Sequence, residues 1–174
     1  MFINLSDVLS EHHRPIDKVV PVEMTEFESA YGNVPIISKS ELHITVKHVK
    51  QRELAITGQC QLILEIPCDR CLEPVASPFD LKFSKNIDLN DDDVQADELD
   101  EKNYIDGYNL DVDKLLYNEI LIGWPMKILC SEDCKGICNT CGQNLNKGTC
   151  NCEDTSLDPR MSVIRDVFKN FKEV

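Results

Sequence analysis

Apolar and polar residues alternate with a period of two along three stretches of the first half of the chain. The aligned apolar positions are Leu42, Ile44 and Val46 in the first stretch, Leu54, Ile56, Cys60, Leu62, Leu64 and Ile66 in the second, and Phe79, Leu81, Phe83, Ile87 and Leu89 in the third. Gly58 falls in the second row, and Lys85 is the one charged residue in the third. Because successive side chains of a strand point to opposite faces, this alternation predicts half-buried strands of an antiparallel sheet.

Two more strands are predicted upstream of these stretches, and two helices are predicted downstream. The strands are expected around Val19 to Met24 and from Phe2. The first helix is expected from about Asp113 to Gly123, where a Gly-Trp-Pro sequence would end it. The second helix would begin after Asp158 as N-cap, with Pro159 in its first turn. Its apolar stripe comprises Val163, Ile164, Val167, Phe168 and Phe171.

The sheet precedes the helices without strand–helix alternation, which indicates an α+β fold. We expect an antiparallel sheet or meander that could close in a barrel-like manner, then a helix, a cysteine-rich zinc knuckle and a C-terminal amphipathic helix. The antiparallel β region would cover residues 1–112, and the helices and knuckle would cover 113–174. For a chain of 174 residues we expect these parts to form one compact domain.

The net charge of −13 is concentrated in one segment. Residues 88–113 carry eleven acidic side chains and a single lysine, Lys102. Such a segment is typical of a solvated, partly mobile acidic loop, and it could alternatively dock a basic partner. The overall charge does not favour unaided nucleic-acid binding, because phosphate contacts need clustered lysine and arginine.

Nine cysteines are many for a cytosolic protein of 174 residues. The N-terminal sequence lacks the basic start and apolar core of a secretory signal, and no apolar run has the ~18 residues of a membrane helix. We therefore expect a cytoplasmic protein with no membrane partner. An odd number of cysteines in a reducing compartment argues against a disulfide framework and favours metal binding.

Six of the nine cysteines lie between the two predicted helices, in residues 130–152: Cys130, Cys134, Cys138, Cys141, Cys150 and Cys152. A Cys-x-x-Cys loop supplies two ligands to one tetrahedral ion, and Gly142 after the second cysteine suits its tight turn. The segment has few apolar residues, so it would need metal to fold. We expect structural zinc, with an iron–sulfur cluster as the main competitor.

A second Cys-x-x-Cys pair, Cys68 and Cys71, follows the predicted strand that ends at Ile66. A redox dithiol usually lies at a helix N-terminus, whereas Pro74 and another strand follow here. Metal ligation is therefore favoured over redox chemistry and over two small core residues. Cys60 continues the apolar row of its strand and is expected to pack in the core.

The spacing leaves the number of metal ions open at one or two. In one partition each ion has four cysteines, namely Cys138, Cys141, Cys150 and Cys152 for one ion and Cys68, Cys71, Cys130 and Cys134 for the other. In the alternative, the two Cys-x-x-Cys pairs share one ion and the remaining thiols are accessory. The first partition is preferred because it uses all eight clustered thiols.

No catalytic constellation is found in the sequence. The four histidines have no nucleophile or carboxylate at a spacing that suggests a triad, and there is no phosphate-binding glycine motif. We therefore expect neither an enzyme nor a small-molecule substrate.

Several motifs follow one another in a distinctive order. CxRCL covers residues 68–72, an acidic stretch and a helix ending near Pro125 follow, and CxxxCKGxCxxCGxNLN covers residues 130–146 before CxC and DPR. In this order the chain, from about residue 36 onward, resembles the YceD family, the large ribosomal RNA subunit accumulation proteins. The resemblance implies metal on the same eight cysteines and a non-enzymatic role in the synthesis, processing or stability of large-subunit (23S) ribosomal RNA.

Three hypotheses remain about how such a protein would act. In the preferred one, it docks onto a ribosomal protein or a large-subunit assembly factor during ribosome biogenesis. In the second, it contacts ribosomal RNA directly through basic residues around the knuckle, which are Lys135, Lys147, Arg160, Arg165, Lys169 and Lys172. In the third, it is a thiol redox protein that uses Cys68 and Cys71.

Overall fold

The computed structural model describes residues 1–10, 12–29, 32–50, 53–88 and 104–152. Their elements, in chain order, are β1 (Phe2–Asn4), α1 (Ser6–Leu9), β2 (Ile16–Val20), β3 (Glu26–Ser29), β4 (Gly32–Lys39), β5 (Leu42–Lys50), β6 (Glu53–Pro67), β7 (Pro74–Asp88), β8 (Ile105–Asp106), β9 (Asn109–Asp111) and α2 (Val112–Ile122). Across these ranges, no helix is long and apolar enough to cross a membrane. The predicted C-terminal helix and Leu89 of the third apolar row lie outside the described residues.

The chain divides into two compact units. The first comprises Met1–Ile66 and Ala76–Met126, and the second comprises Pro67–Val75 and the chain from Lys127 onward. In this division α2 belongs to the same unit as the sheet, and the turn between β6 and β7 belongs with the cysteine-rich segment. The expected boundary at residue 112 and the expected union of all parts in one domain stay predictions.

The first unit is built on an antiparallel sheet with the strand order β2-β5-β6-β4-β3, in which β7 also pairs with β6. A separate three-stranded sheet has the order β1-β9-β8. Strand β6 has fifteen residues, and this length lets its first half pair with β5 and its residues 62–64 pair with β4. The antiparallel sheet is confirmed. The meander is only partly correct, because β2 with β5 and β4 with β6 join strands that are not consecutive.

All the described apolar positions predicted from the period-two alternation are buried, and they are Leu42, Ile44, Val46, Leu54, Ile56, Cys60, Leu62, Leu64, Ile66, Phe79, Leu81, Phe83 and Ile87. The row contains a glycine at position 58 because the ring of Phe83 occupies the space that a larger side chain would need. A Cβ atom built on Gly58 would lie 2.4 Å from Cζ of that ring. Residues of both strands thus contribute to one packed face.

The charged break in the third apolar row, Lys85, has a partner on α2. Its Nζ lies 2.8 Å from Oε1 of Glu119, and the two side chains are only 17% and 11% exposed. The helix begins where the carboxylate of Asp111 accepts hydrogen bonds from the N–H groups of Asp113 and Lys114. Its buried face, formed by Val112, Leu115, Leu116 and Ile120, confirms the predicted helix within one residue at each end.

The elements before residue 40 differ from the sequence-based expectation. The strand expected at Val19 to Met24 is shifted, since β2 ends at Val20 and β3 begins at Glu26. The strand expected from Phe2 is confirmed as β1. The sequence pattern missed α1, β3 and β4. These elements are short or lack a clean alternation, so their type depends on pairing with distant strands.

The predicted acidic loop over residues 88–113 is wrong for its described C-terminal part. Residues 105–111 form the β8–β9 hairpin, whose second strand pairs with β1 at the register Ile3 to Leu110. Tyr104 and Leu110 are buried, at 1% and 0% exposure. The hairpin was not predicted because its acidic residues are typical of a loop and because its partner, β1, lies more than a hundred residues away in the sequence.

We expect replacement of Lys85 by Met to destabilise the first unit by roughly 3 kcal/mol, because it leaves the shielded Glu119 carboxylate without its partner. The double variant K85M/E119L should recover most of that loss, since an apolar pair removes the unpaired charge. Urea unfolding of both variants measures the difference.

Lys82 on the same strand provides the matched control. It pairs with Asp80 at 2.7 Å, but the two side chains are 67% and 53% exposed. K82M should therefore change the free energy of unfolding by less than about 1 kcal/mol. An equal effect of K82M and K85M would contradict the role assigned to Lys85.

Candidate metal centre

Four cysteine sulfurs from two chain segments converge in the second unit. The Sγ atoms of Cys68, Cys71, Cys130 and Cys134 all lie within 4.8 Å of one another. Those of Cys68 and Cys134 are 3.8 Å apart, and those of Cys71 and Cys130 are 3.5 Å apart. All four are free thiols, since these separations far exceed the ~2.05 Å of a disulfide bond. We call these four residues the first cysteine group.

The remaining clustered cysteines form a second cysteine group of Cys138, Cys141, Cys150 and Cys152, whose sulfurs also lie within 4.8 Å of one another. The two groups correspond to the first of the two partitions that the spacing left open. They differ in how they are built. The first group joins residues up to 66 positions apart, whereas the second is contained in one short segment.

Each group has the dimensions of a single tetrahedral metal site. A tetrahedron with metal–sulfur bonds of about 2.3 Å has sulfur–sulfur edges of about 3.8 Å. The separations of 3.5 and 3.8 Å in the first group match this edge without rearrangement of the backbone. Either group could therefore hold one metal ion.

Both Cys-x-x-Cys loops fold into the same hydrogen-bonded turn. In the first loop, the N–H of Cys68 donates to the carbonyl of Glu73 at 2.8 Å, and the N–H of Leu72 donates to the carbonyl of Cys68 at 3.0 Å. The second loop repeats both bonds, each at 2.8 Å, through the corresponding residues Cys138, Gly142 and Gln143. This turn points both sulfurs of a loop towards one point.

The residue that follows the second cysteine of each loop has a left-handed backbone. Gly142 has a φ of 73°, which confirms the reason given for a glycine there. Leu72 occupies the equivalent position with a φ of 61°. A left-handed conformation costs a residue with a Cβ atom roughly 1–2 kcal/mol, so the first loop carries strain that the second avoids.

Backbone N–H groups stabilise negative charge on the first sulfur of each loop. Burial by itself would raise the pKa of Cys68, but the N–H groups of Cys71, Arg70 and Cys130 outweigh it and lower the pKa to about 6. In the second loop, the N–H groups of Cys141 and Thr140 lower the pKa of Cys138 to about 6.

These sulfurs can therefore ionise near neutral pH. Because the thiolate is the form that binds metal, the backbone prepares both loops for a cation.

Two residues that are not themselves candidate metal ligands, Asn146 and Arg70, hold Cys134 of the first group in place. The amide of Asn146 donates to its Sγ at 3.3 Å and lowers the pKa of that thiol. The guanidinium of Arg70 donates to its carbonyl at 2.7 Å. Hydrogen bonds of this kind orient metal ligands and tune their charge. Asn146 was not identified from the sequence, because a single asparagine in a loop gives no local signal of a ligand partner.

Gly136 lets the first Cys-x-x-Cys loop approach the segment that follows Cys134. Its φ is 79°, and a Cβ atom there would lie 3.1 Å from the carbonyl oxygen of Arg70. That same carbonyl accepts a hydrogen bond from Ile137 at 3.1 Å. Glycine is therefore needed here both for its backbone conformation and for space.

Cys60 and Lys147, which were also singled out from the sequence, belong to neither cysteine group. Cys60 is buried in the sheet, and burial raises its pKa to about 11, as expected of a core thiol. Lys147 of the predicted basic set lies 2.6 Å from the carboxylate of Glu73. Four members of that set, Arg160, Arg165, Lys169 and Lys172, lie outside the described residues.

A family model described as "Large ribosomal RNA subunit accumulation protein YceD" matches residues 56–168. The matched range contains all eight residues of the two cysteine groups. No curated protein and no solved structure matches the chain.

We expect Leu72→Gly to tighten metal binding by the first group about fivefold, because glycine relieves roughly 1 kcal/mol of left-handed strain. Leu72 is 64% exposed, so little buried surface is lost. Titration with Co²⁺, whose thiolate complexes absorb visible light, measures the affinity.

Two matched variants isolate the backbone effect. L72A keeps a Cβ atom and should leave the affinity of the first group unchanged. G142A introduces the same strain in the second loop, where a Cβ atom meets nothing within 4 Å, and should weaken that group by a similar factor. A weaker first group in L72G would show that the leucine side chain matters more than its φ.

Proposed function

The chain belongs to the YceD family, and we propose that it is a non-enzymatic factor in the accumulation of large-subunit (23S) ribosomal RNA. We further propose that each cysteine group holds one structural zinc ion. The observation that carries the proposal is that the matched range, residues 56–168, includes both complete groups. The family relationship and the metal-binding capacity therefore concern the same part of the molecule.

Zinc is proposed because each group offers four cysteines, and no other kind of ligand joins them among the residues that the structure describes. Four thiolates fill a tetrahedral site, as in structural zinc centres, whereas catalytic zinc keeps a position open for water or substrate. An iron–sulfur cluster is less suitable, since the sulfurs around several irons must stand further apart than those around one ion. A zinc ion in each group would fold a segment that has few apolar residues.

A non-enzymatic role is supported by the surroundings of Cys68 and Cys71. These cysteines are 0% and 5% exposed, so a substrate disulfide would have little access to either sulfur. Cys71 is followed by Leu72, Glu73 and strand β7, and a helix N-terminus of the kind that activates redox dithiols is not present at this turn. Both thiols are better suited to hold an ion than to exchange electrons.

We propose that the factor acts through a protein partner in the cytoplasm, either a ribosomal protein or a large-subunit assembly factor. Its net charge of −13 favours encounter with the basic surfaces that RNA-binding proteins present. Direct contact with ribosomal RNA is the weaker alternative, because the charge of Lys147 is already offset by Glu73.

Elemental analysis of the full chain, purified without added metal, should find two zinc ions per molecule. Because each group is expected to bind independently, C68S/C71S and C138S/C141S should each lose one ion, while C60S should keep both. Removal of zinc by a chelator should accelerate hydrogen exchange in residues 67–75 and 127–152 and leave the sheet protected. Stoichiometric iron, or purified protein without metal, would refute the zinc assignment.

Deletion of the gene should lower the ratio of large to small ribosomal subunits in sucrose gradients. Tagged protein should migrate with large-subunit precursors, and wild-type protein and C60S should restore the ratio, whereas C68S/C71S should not, because it loses the ion that joins distant segments. Normal subunit ratios in the deletion strain, with the protein migrating only at its own size, would refute the role in ribosome biogenesis.

A further inference from the structure

The two cysteine groups differ in their protection from solvent. In the first group three side chains are buried, with 0% exposure for Cys68, 5% for Cys71 and 2% for Cys134, and only the fourth, Cys130, is exposed. In the second group none is buried, since Cys141 is exposed and the other three are partly exposed. A small reagent in solution can therefore reach the second group more easily.

An open cleft in the second unit leads to the less protected sulfurs. The cleft has a volume of about 660 Å³, and its walls include Cys138, Cys150 and Cys152 but no cysteine of the first group. Arg70 and Lys135 also line it, so its walls carry polar and charged side chains that admit water and small polar solutes. The cleft is far larger than one water or peroxide molecule.

The two groups also differ in how the chain connects their cysteines, and this difference makes disulfide formation easier in the second group. Sulfurs of the first group are held between segments up to 66 residues apart, and Arg70, which lies outside residues 138–152, donates a hydrogen bond to the carbonyl of Cys134. The second group lies within one segment of 15 residues, 138–152. Its sulfurs, all within 4.8 Å of one another, can approach bonding distance through movement of that segment only.

We propose that the second cysteine group is a site of reversible oxidation by hydroperoxides, at which disulfide formation releases the bound metal ion while the first group keeps its own. This inference rests on the metal content assigned under the proposed function. It adds a modification site whose state would change the structure of residues 138–152 without dismantling the rest of the second unit.

The chemistry balances with hydrogen peroxide as the only added reactant. One thiolate attacks a peroxide oxygen, the O–O bond breaks, and a sulfenic acid and a hydroxide ion form. A second thiolate attacks the sulfenic sulfur, a disulfide forms and a second hydroxide leaves. Two thiolates thus lose two electrons to one peroxide molecule. A second peroxide oxidises the other pair, after which no thiolate of the second group would remain to hold a metal ion.

The test uses the full chain with both metal sites filled, whose ion content is measured first. Hydrogen peroxide is added, and a chromogenic chelator records the zinc released over time. We expect one ion to leave about tenfold faster than the other, since reactivity follows thiolate exposure. Alkylation and peptide mass analysis after the fast phase should find disulfides only among Cys138, Cys141, Cys150 and Cys152. Added dithiol with zinc should restore both ions.

Two variants make the result specific. C138S/C141S should begin with one ion and lose the fast phase, and C60S, which removes a buried thiol outside both groups, should behave as wild type. Simultaneous release of both ions, or disulfides that include Cys68 or Cys134, would overturn the inference but leave the proposed function intact. A chain that holds no ion in the second group before peroxide is added would overturn both.

Discussion

The convergence of four sulfurs in the first cysteine group is the constraint on which the second unit depends. Among the described residues of this unit, the buried cluster around the sulfurs consists of Cys68, Cys71 and Cys134 themselves, with Val75, Leu129 and Ile137 packed against them as partly buried neighbours. So small an apolar cluster contributes little hydrophobic free energy against the entropy of ordering the chain. Bonds from the sulfurs to a metal ion would supply what the apolar side chains cannot.

The backbone around the sulfurs is arranged to make these bonds favourable. Both Cys-x-x-Cys loops repeat the same two hydrogen bonds, and in both the first sulfur accepts backbone N–H groups that lower its pKa. The loops differ in their left-handed residue, which is Leu72 in one and Gly142 in the other. The first loop tolerates this strain because neighbouring segments over-determine its conformation, through Arg70 and the close approach of Gly136.

The described part of the first unit follows ordinary packing rules, with apolar side chains buried against one another. Strand β6 gathers β5, β4 and β7 around itself, and its apolar row is buried along its whole length. The shielded pair of Lys85 and Glu119 is the exception, and it joins the third apolar row to the helix. The two units thus follow different physical principles. One is stabilised by apolar burial, and the other is organised around thiol groups that suit a cation.

Features that depend on local pattern could be predicted from the amino-acid sequence. Period-two alternation identified β5, β6 and β7, helical periodicity with a Gly-Trp-Pro stop identified α2, and two Cys-x-x-Cys pairs identified the loops that hold sulfurs together. The order of the cysteine motifs identified the family. The strand, helix and Cys-x-x-Cys signals each lie within about twenty residues and can be recognised locally, whereas the order of the cysteine motifs extends over residues 68–160.

Contacts between distant segments, in contrast, could be recognised in the folded chain alone. Strand β9, which lies in the predicted acidic loop, pairs with the distant strand β1. The sulfurs of Cys68 and Cys134 lie 3.8 Å apart, as in the partition with four cysteines in each group. Both partitions use the same cysteines at the same spacing along the sequence, so local sequence patterns cannot distinguish one partition from the other. Contacts across 66 residues depend on how the whole chain closes, and that choice is made by the summed free energy of the fold.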